Sequence, residues 1–176
     1  MSGTWIKVRA SGGGDFDCYL NVPNTGSQVP AVVLACAVHG VDADIVAIAD
    51  EFAAHDVIAA APDLFWRTVP GPLSHDDGRA QQRSQPRLEK IKQGEADMAD
   101  TLARLGEVPQ FNGSAVAMGF CYGGPYASSG RNVSAMLPAF PATAPGCPIT
   151  CATSRTSARP FASYGAIGIT GLPRKY

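Results

Sequence analysis

Acidic residues stop early in this chain: all fifteen Asp and Glu lie at or before Glu107, and residues 128–176 contain no Asp, Glu or His. A carboxylate–histidine pair working as a general base therefore has no member in that stretch. Other absences narrow the function further. The net charge is -1 and no cluster of Lys or Arg stands out, which leaves no electrostatic footprint for nucleic acid or an anionic membrane surface. The longest uncharged apolar run, around Val29 to Val38, falls well short of the roughly 18 residues of a membrane helix. Met1-Ser2-Gly3-Thr4-Trp5-Ile6-Lys7 has no apolar leader core, so a cytoplasmic protein is expected. Cys18, Cys36, Cys121, Cys147 and Cys151 form an odd set without C-x-x-C spacing, which argues against a disulfide framework and against a redox pair. A small, nearly neutral substrate is the expectation, with 176 residues allowing one domain that is short for a large α/β fold.

What is present alternates between strand and helix signals. Phe16 to Val22 alternates loosely, and Pro23-Asn24-Thr25-Gly26-Ser27 supplies turn chemistry, which suggests an early antiparallel hairpin. Pro30 to Ala37 is a continuous apolar run, as for a strand buried on both faces. Ile45, Ile48 and Phe52 mark one helix face, and Val57 to Ala61 is the next strand. Residues 63–80 read as a long loop, and Leu88, Ile91, Met98, Leu102 and Leu105 as an amphipathic helix. Asn112-Gly113-Ser114 then turns into a third buried strand, Ala115 to Phe120. The alternation predicts a doubly wound, mostly parallel α/β sheet.

The string Gly119-Phe120-Cys121-Tyr122-Gly123-Gly124 follows a strand and opens a helix, the context of a nucleophile elbow. A nucleophile on such a turn takes a strained backbone, and residues two positions away must lack side chains for strand and helix to approach. The first helical turn also favours a thiolate over a thiol. The backbone N–H of Tyr122 is one candidate oxyanion donor, and the N–H of Val38, in the loop after the Pro30–Ala37 strand, is the other. His39 and Gly40 then lie close to the site. A buried cysteine in a Gly-rich turn is the competing reading of Cys121.

Three segments together, Val32 to Val41, Ala60-Ala61-Pro62-Asp63-Leu64-Phe65, and the Gly-x-Cys-x-Gly-Gly elbow, resemble the dienelactone hydrolase (carboxymethylenebutenolidase) family over about residues 10 to 127. The resemblance implies an α/β-hydrolase fold, no cofactor, and a small lactone or ester substrate opened by Cys121 through a thioester. A monomer is expected, with no nucleic-acid or membrane partner. Arg79 or Arg83, in the matching loop, would grip a substrate carboxylate, although solvated arginines on a polar loop read equally well. His39 is a candidate substrate contact, or simply a loop histidine. Cys18 and Cys36 read as small buried apolar groups, His55 and His75 as surface positions, and Asp63 as a residue that fixes a turn.

Two departures from the family bear on activity. Ala37 stands where the family carries a glutamate that holds the resting thiol. The family's acid and histidine follow the nucleophile in the chain, yet neither residue type occurs after Cys121. The C-terminal third of the fold thus reads as missing or non-native, with residues 1–127 as the N-terminal part of the domain and 128–176 as an irregular tail. Back-translated and read two bases further along, residues 128–134, 135–147 and 160–176 permit family-like sequence ending in Trp-Gly-Asp-x-Asp-His, which resembles the strand end bearing the triad acid. A frameshift near the codons for Ala127 and Ser128 accounts for both the composition break and the missing partners. Cys147 and Cys151 lack two further ligands for zinc, so no metal is expected there. The expected function is an impaired hydrolase, the alternative a catalytically dead fragment or a small-molecule-binding remnant.

Overall fold

The computed structural model describes residues 2–128; the tail, with Cys147 and Cys151, lies outside the described residues. Strands β1 (Thr4–Arg9), β2 (Asp15–Asn21), β3 (Val29–Ala35), β4 (Ile58–Pro62) and β5 (Phe111–Gly119) alternate with helices α1 (Ala43–Ala54), α2 (Arg79–Arg83), α3 (Arg87–Leu105) and α4 (Gly124–Ser128) in the order β1-β2-β3-α1-β4-α2-α3-β5-α4. They form one sheet in the spatial order β1-β2-β4-β3-β5. β3 runs parallel to both β4 and β5, whereas β2 runs antiparallel to both β1 and β4. The sheet is therefore mixed, an α/β architecture with an antiparallel flank.

The hairpin lies one strand earlier than the sequence suggests. Gly13 and Gly14 take φ of 91° and 92°, and Ala10 N–H donates to the Gly14 carbonyl at 3.0 Å, closing β1 onto β2. The Pro23–Ser27 turn instead leads from β2 to β3, and these two strands are separated by β4. Turn chemistry marks a reversal without saying which strand becomes the neighbour.

β3 and β4 form the centre of the core. Val32, Leu34, Ala35, Ile58, Ala59 and Ala61 have no measurable exposure, as expected of strands covered on both faces. Burying a side chain such as Leu34 or Ile58 stabilises by about 1.5–3 kcal/mol. Helix α1 begins where Asp42 caps it, its side chain accepting from Ile45 N–H at 3.1 Å, and it turns Ile45, Ala49 and Ala53 inward. In α3, Met98, Leu102 and Leu105 are buried, but Leu88 is 71% exposed. A stripe at helical spacing tells which face turns inward, not how far along the helix the sheet reaches.

β5 departs most from expectation. It is longer than predicted, because the Asn112-Gly113-Ser114 turn is absorbed as an irregularity: Gly113 has φ 85°, Asn112 Oδ1 accepts from Ser114 N–H at 2.9 Å, and the register against β3 shifts there. It is also not fully buried. Val116 is 63% and Met118 38% exposed, since β5 ends the sheet among the described residues and pairs only with β3.

The N-terminus is tied down by one carboxylate. Asp50 of α1 accepts from Tyr19 Oη and Asn21 Nδ2, each at 2.7 Å, and from Gly3 N–H at 3.4 Å. The Tyr19 hydroxyl, more than any other neighbour, holds this carboxyl below its ordinary range. A depressed folded-state value means stability that is present above about pH 4, the unfolded aspartate value, and is lost as pH falls through the folded value. In acid titrations followed by circular dichroism, Asp50→Asn is expected to unfold with a shallower pH dependence below about pH 4 than the parent chain.

Candidate active site

β5 ends at Gly119, and Phe120 N–H donates to the Ala35 carbonyl at 3.0 Å, locking the end of β5 to the end of β3. Cys121 follows with φ 52°, in the left-handed region that costs an ordinary residue about 1–2 kcal/mol. A 3-10 turn, Cys121–Gly123, leads into α4. The flanking glycines are required by space. A Cβ on Gly119 would strike the Gly123 carbonyl, and a Cβ on Gly123 would strike the Ala35 carbonyl. This is a nucleophile-elbow geometry: a strained, exposed residue at the tip of a strand-to-helix turn.

Among the described residues Cys121 is the exposed thiol, while Cys18 and Cys36 are buried. Burial pushes both buried thiols up to about 12, so neither offers a thiolate at neutral pH. The elbow is braced from beneath by aromatic packing. The buried Tyr122 ring sits 5.0 Å from Phe65 and 6.4 Å from Tyr126. Tyr126 fits over Gly94 of α3, where a Cβ would collide with its hydroxyl, and that hydroxyl donates to the Lys90 carbonyl at 3.4 Å.

The loop after β3 carries Val38, His39 and Gly40. Gly40 has φ 84° and its N–H donates to the Ala37 carbonyl at 3.0 Å. Arg83 fastens this loop. It is only 2% exposed, and its Nε donates to the Val38 carbonyl at 2.8 Å while Nη1 donates to Val69 and Gly71 carbonyls at 2.8 and 2.7 Å. Its guanidinium lies 4.3 Å over the Phe65 ring, so Phe65 stands between Arg83 and Tyr122. The Nη2 atom of Arg83 and Nδ1 of His39 are buried without a hydrogen-bond partner. Asp63 fixes the intervening turn, accepting from Phe65 N–H at 3.0 Å and Gly71 N–H at 2.6 Å.

The remaining sequence candidates fall differently. Arg79 is on the surface and engaged by Asp77, with Nη2–Oδ2 at 2.7 Å, and its guanidinium holds the Asp77 carboxyl down at about 2. His39 packs against His75 at 4.5 Å between ring centroids. A cleft of about 260 Å³ lined by Trp5, Asp17, Val41, Asp63, Gly71 and Pro72 does not include Cys121. Phe65 was not singled out from sequence as a site residue; one apolar side chain in a polar loop carries no signal of the role of spacer between arginine and elbow.

The model of the dienelactone hydrolase family matches residues 16–161. The chain belongs to this family. It is 30% identical over 123 residues to a carboxymethylenebutenolidase of Pseudomonas sp. (strain P51), an alignment covering 68% of this chain and 51% of the relative. A carboxymethylenebutenolidase of Cupriavidus pinatubonensis is 27% identical over 123 residues, covering 68% and 52%. The chain thus spans about half the length of the curated relatives it matches. Among solved structures, a dienelactone hydrolase-like promiscuous phosphotriesterase from metagenomic libraries superposes with a TM-score of 0.55 at 19% identity, covering 70% of this chain and 51% of that one. A Klebsiella pneumoniae protein assigned to the dienelactone hydrolases gives 0.56 at 21%, covering 70% and 52%. These likenesses establish the α/β-hydrolase fold. No helix among the described residues is long and apolar enough to cross a membrane.

Proposed function

We propose that this member of the dienelactone hydrolase family carries the nucleophile half of a lactone or ester hydrolase, with Cys121 as the nucleophile. The observation that carries the reading is the exposed Cys121 at φ 52° between glycines that admit no Cβ. The Cys121 thiolate adds to the carbonyl carbon, and the carbonyl electron pair moves to oxygen, where the N–H groups of Tyr122 and Val38 receive it. Collapse expels the enolate or alkoxide, which takes up a proton, and water then hydrolyses the thioester. Arg83 is taken up by the fold: Nε and Nη1 donate to three backbone carbonyls and Nη2 is buried, so its role is to position the loop that carries Val38 rather than to grip a substrate carboxylate. Arg79 and His39 are the candidates for that contact.

Neither an acid nor a histidine stands between Cys121 and Tyr176, so this chain is expected to acylate at Cys121 and to be slow in the second half of the reaction. Exposure to p-nitrophenyl acetate is expected to leave one acetyl group on Cys121, mapped by peptide mass spectrometry, with release of p-nitrophenol in a burst and little turnover after it. An unmodified Cys121 after such exposure would sink the nucleophile reading and favour the inert remnant. The tail is the open term. The family match runs to residue 161, past the point at which the frameshift reading ends family-like sequence; that reading requires an open alternative frame across the codons for Gly119 to Tyr176 and beyond, and sequencing the encoding DNA tests it.

A further inference from the structure

We propose that Asp42, Asp44 and His75 form a binding site for a divalent cation of the zinc type, which clasps the β3–α1 loop to the segment that precedes α2. One ligand atom from each of the three side chains lies within 4.8 Å of the others, although the residues come from two segments about thirty positions apart in the chain. Asp42 is already oriented. Its Oδ1 is held by the Ile45 N–H at 3.1 Å as the cap of α1, which turns Oδ2 towards His75 Nε2 at 3.8 Å. Asp44 and His75 are exposed, so their side chains can rotate inward to the spacing of about 3.3 Å that metal–ligand bonds of about 2.0–2.2 Å require.

A second observation concerns the neighbouring imidazole. His39 packs on His75 at 4.5 Å between ring centroids, and its Nδ1 is buried with no hydrogen-bond partner. One imidazole and two carboxylates make a mixed N/O donor set that suits zinc and cobalt better than magnesium or calcium, which prefer all-oxygen shells, and His39 packs beside this set as a neighbour of His75. The positive end of α1 opposes a cation here, but it amounts to about half an elementary charge against two carboxylates. The two segments are already joined by Leu73 N–H donating to the His39 carbonyl at 2.9 Å, so a bound cation would reinforce an existing contact. It would also stiffen the loop that carries Val38.

Cobalt(II) is the probe, added to the full chain and followed by absorption and calorimetry; the binding experiment does not depend on whether Cys121 reacts. One saturable cobalt site is expected, lacking the near-ultraviolet thiolate-to-cobalt band that cysteine ligation produces. Zinc should displace the cobalt. Both His75→Ala and Asp44→Asn should weaken binding at least about tenfold, or about 1.4 kcal/mol, with unchanged melting temperatures in the absence of metal. The proposal is overturned if no saturable site is found, if the thiolate band accompanies binding, or if either variant binds as the parent does.

Discussion

A methyl group at position 123 is expected to abolish acylation of Cys121 by an ester probe, whereas the same methyl group at position 124 is expected to leave it intact. The contrast comes from space. In Gly123→Ala the new Cβ strikes the carbonyl of Ala35 in β3, a backbone atom that cannot swing aside, while in Gly124→Ala nothing lies within 4 Å. Ala35 is also the residue whose carbonyl accepts from Phe120 N–H, so relieving the clash pulls the end of β5 away from β3 and relaxes the φ 52° conformation of Cys121. Overpacking of this kind costs about 1–3 kcal/mol or more. Gly119→Ala, blocked by the Gly123 carbonyl, should behave like Gly123→Ala. The measurement is the rate of acylation beside the urea midpoint for each of the three variants. Equal tolerance at 119, 123 and 124 would mean that Cys121 merely occupies a Gly-rich turn, and the nucleophile assignment would fall with the elbow.

The same glycines show why parts of this protein are legible from sequence. Gly119, Gly123 and the cysteine between them state a local steric requirement, and local requirements survive in the order of residues. The apolar run at β3 and the stripe Met98, Leu102, Leu105 are legible for the same reason, since burial on one or both faces imposes a period. What could not be read depends on partners distant in sequence. β1 carries a legible alternation, Ile6-Lys7-Val8-Arg9, but its partner is not legible: Lys7 and Arg9 pair with Asp17 and Asp15 across the hairpin. The half-exposure of β5 follows from its place at the end of the described sheet, and strand order is not written in any one segment. Arg83 was a candidate for gripping substrate, but nothing in its spacing disclosed that three backbone carbonyls already accept from it. The cation site eluded motif reading likewise, since its donors meet only after β3 and β4 pair.

The largest loss of stability is expected from Asp97→Ala. Asp97 lies on α3 with no exposure, and its carboxylate accepts from Arg67 Nη1 at 2.6 Å, Arg67 Nη2 at 2.9 Å and Trp66 Nε1 at 3.1 Å. Arg67 in turn lies 4.2 Å over the Trp66 ring, and Trp66 stacks on Phe16 of β2 at 5.9 Å. One carboxylate thereby fastens the loop that leaves β4 to a helix and, through Trp66, to the antiparallel flank of the sheet. Removing it strands a guanidinium whose side chain is only 28% exposed, and breaking such a pair from one side costs about 3–5 kcal/mol. Against the 5–15 kcal/mol typical of a whole domain, that is enough to leave a large unfolded fraction, read as a lowered urea midpoint. The double variant Asp97→Leu, Arg67→Met should recover much of the loss, because what costs most is the uncompensated charge rather than the absence of attraction. If the double variant is as unstable as the single, the geometry of the loop rather than its charge balance depends on the pair. Acylation of Cys121 should then slow as well, since the same loop carries Phe65 to the underside of the elbow, where Arg83 of α2 packs on its ring.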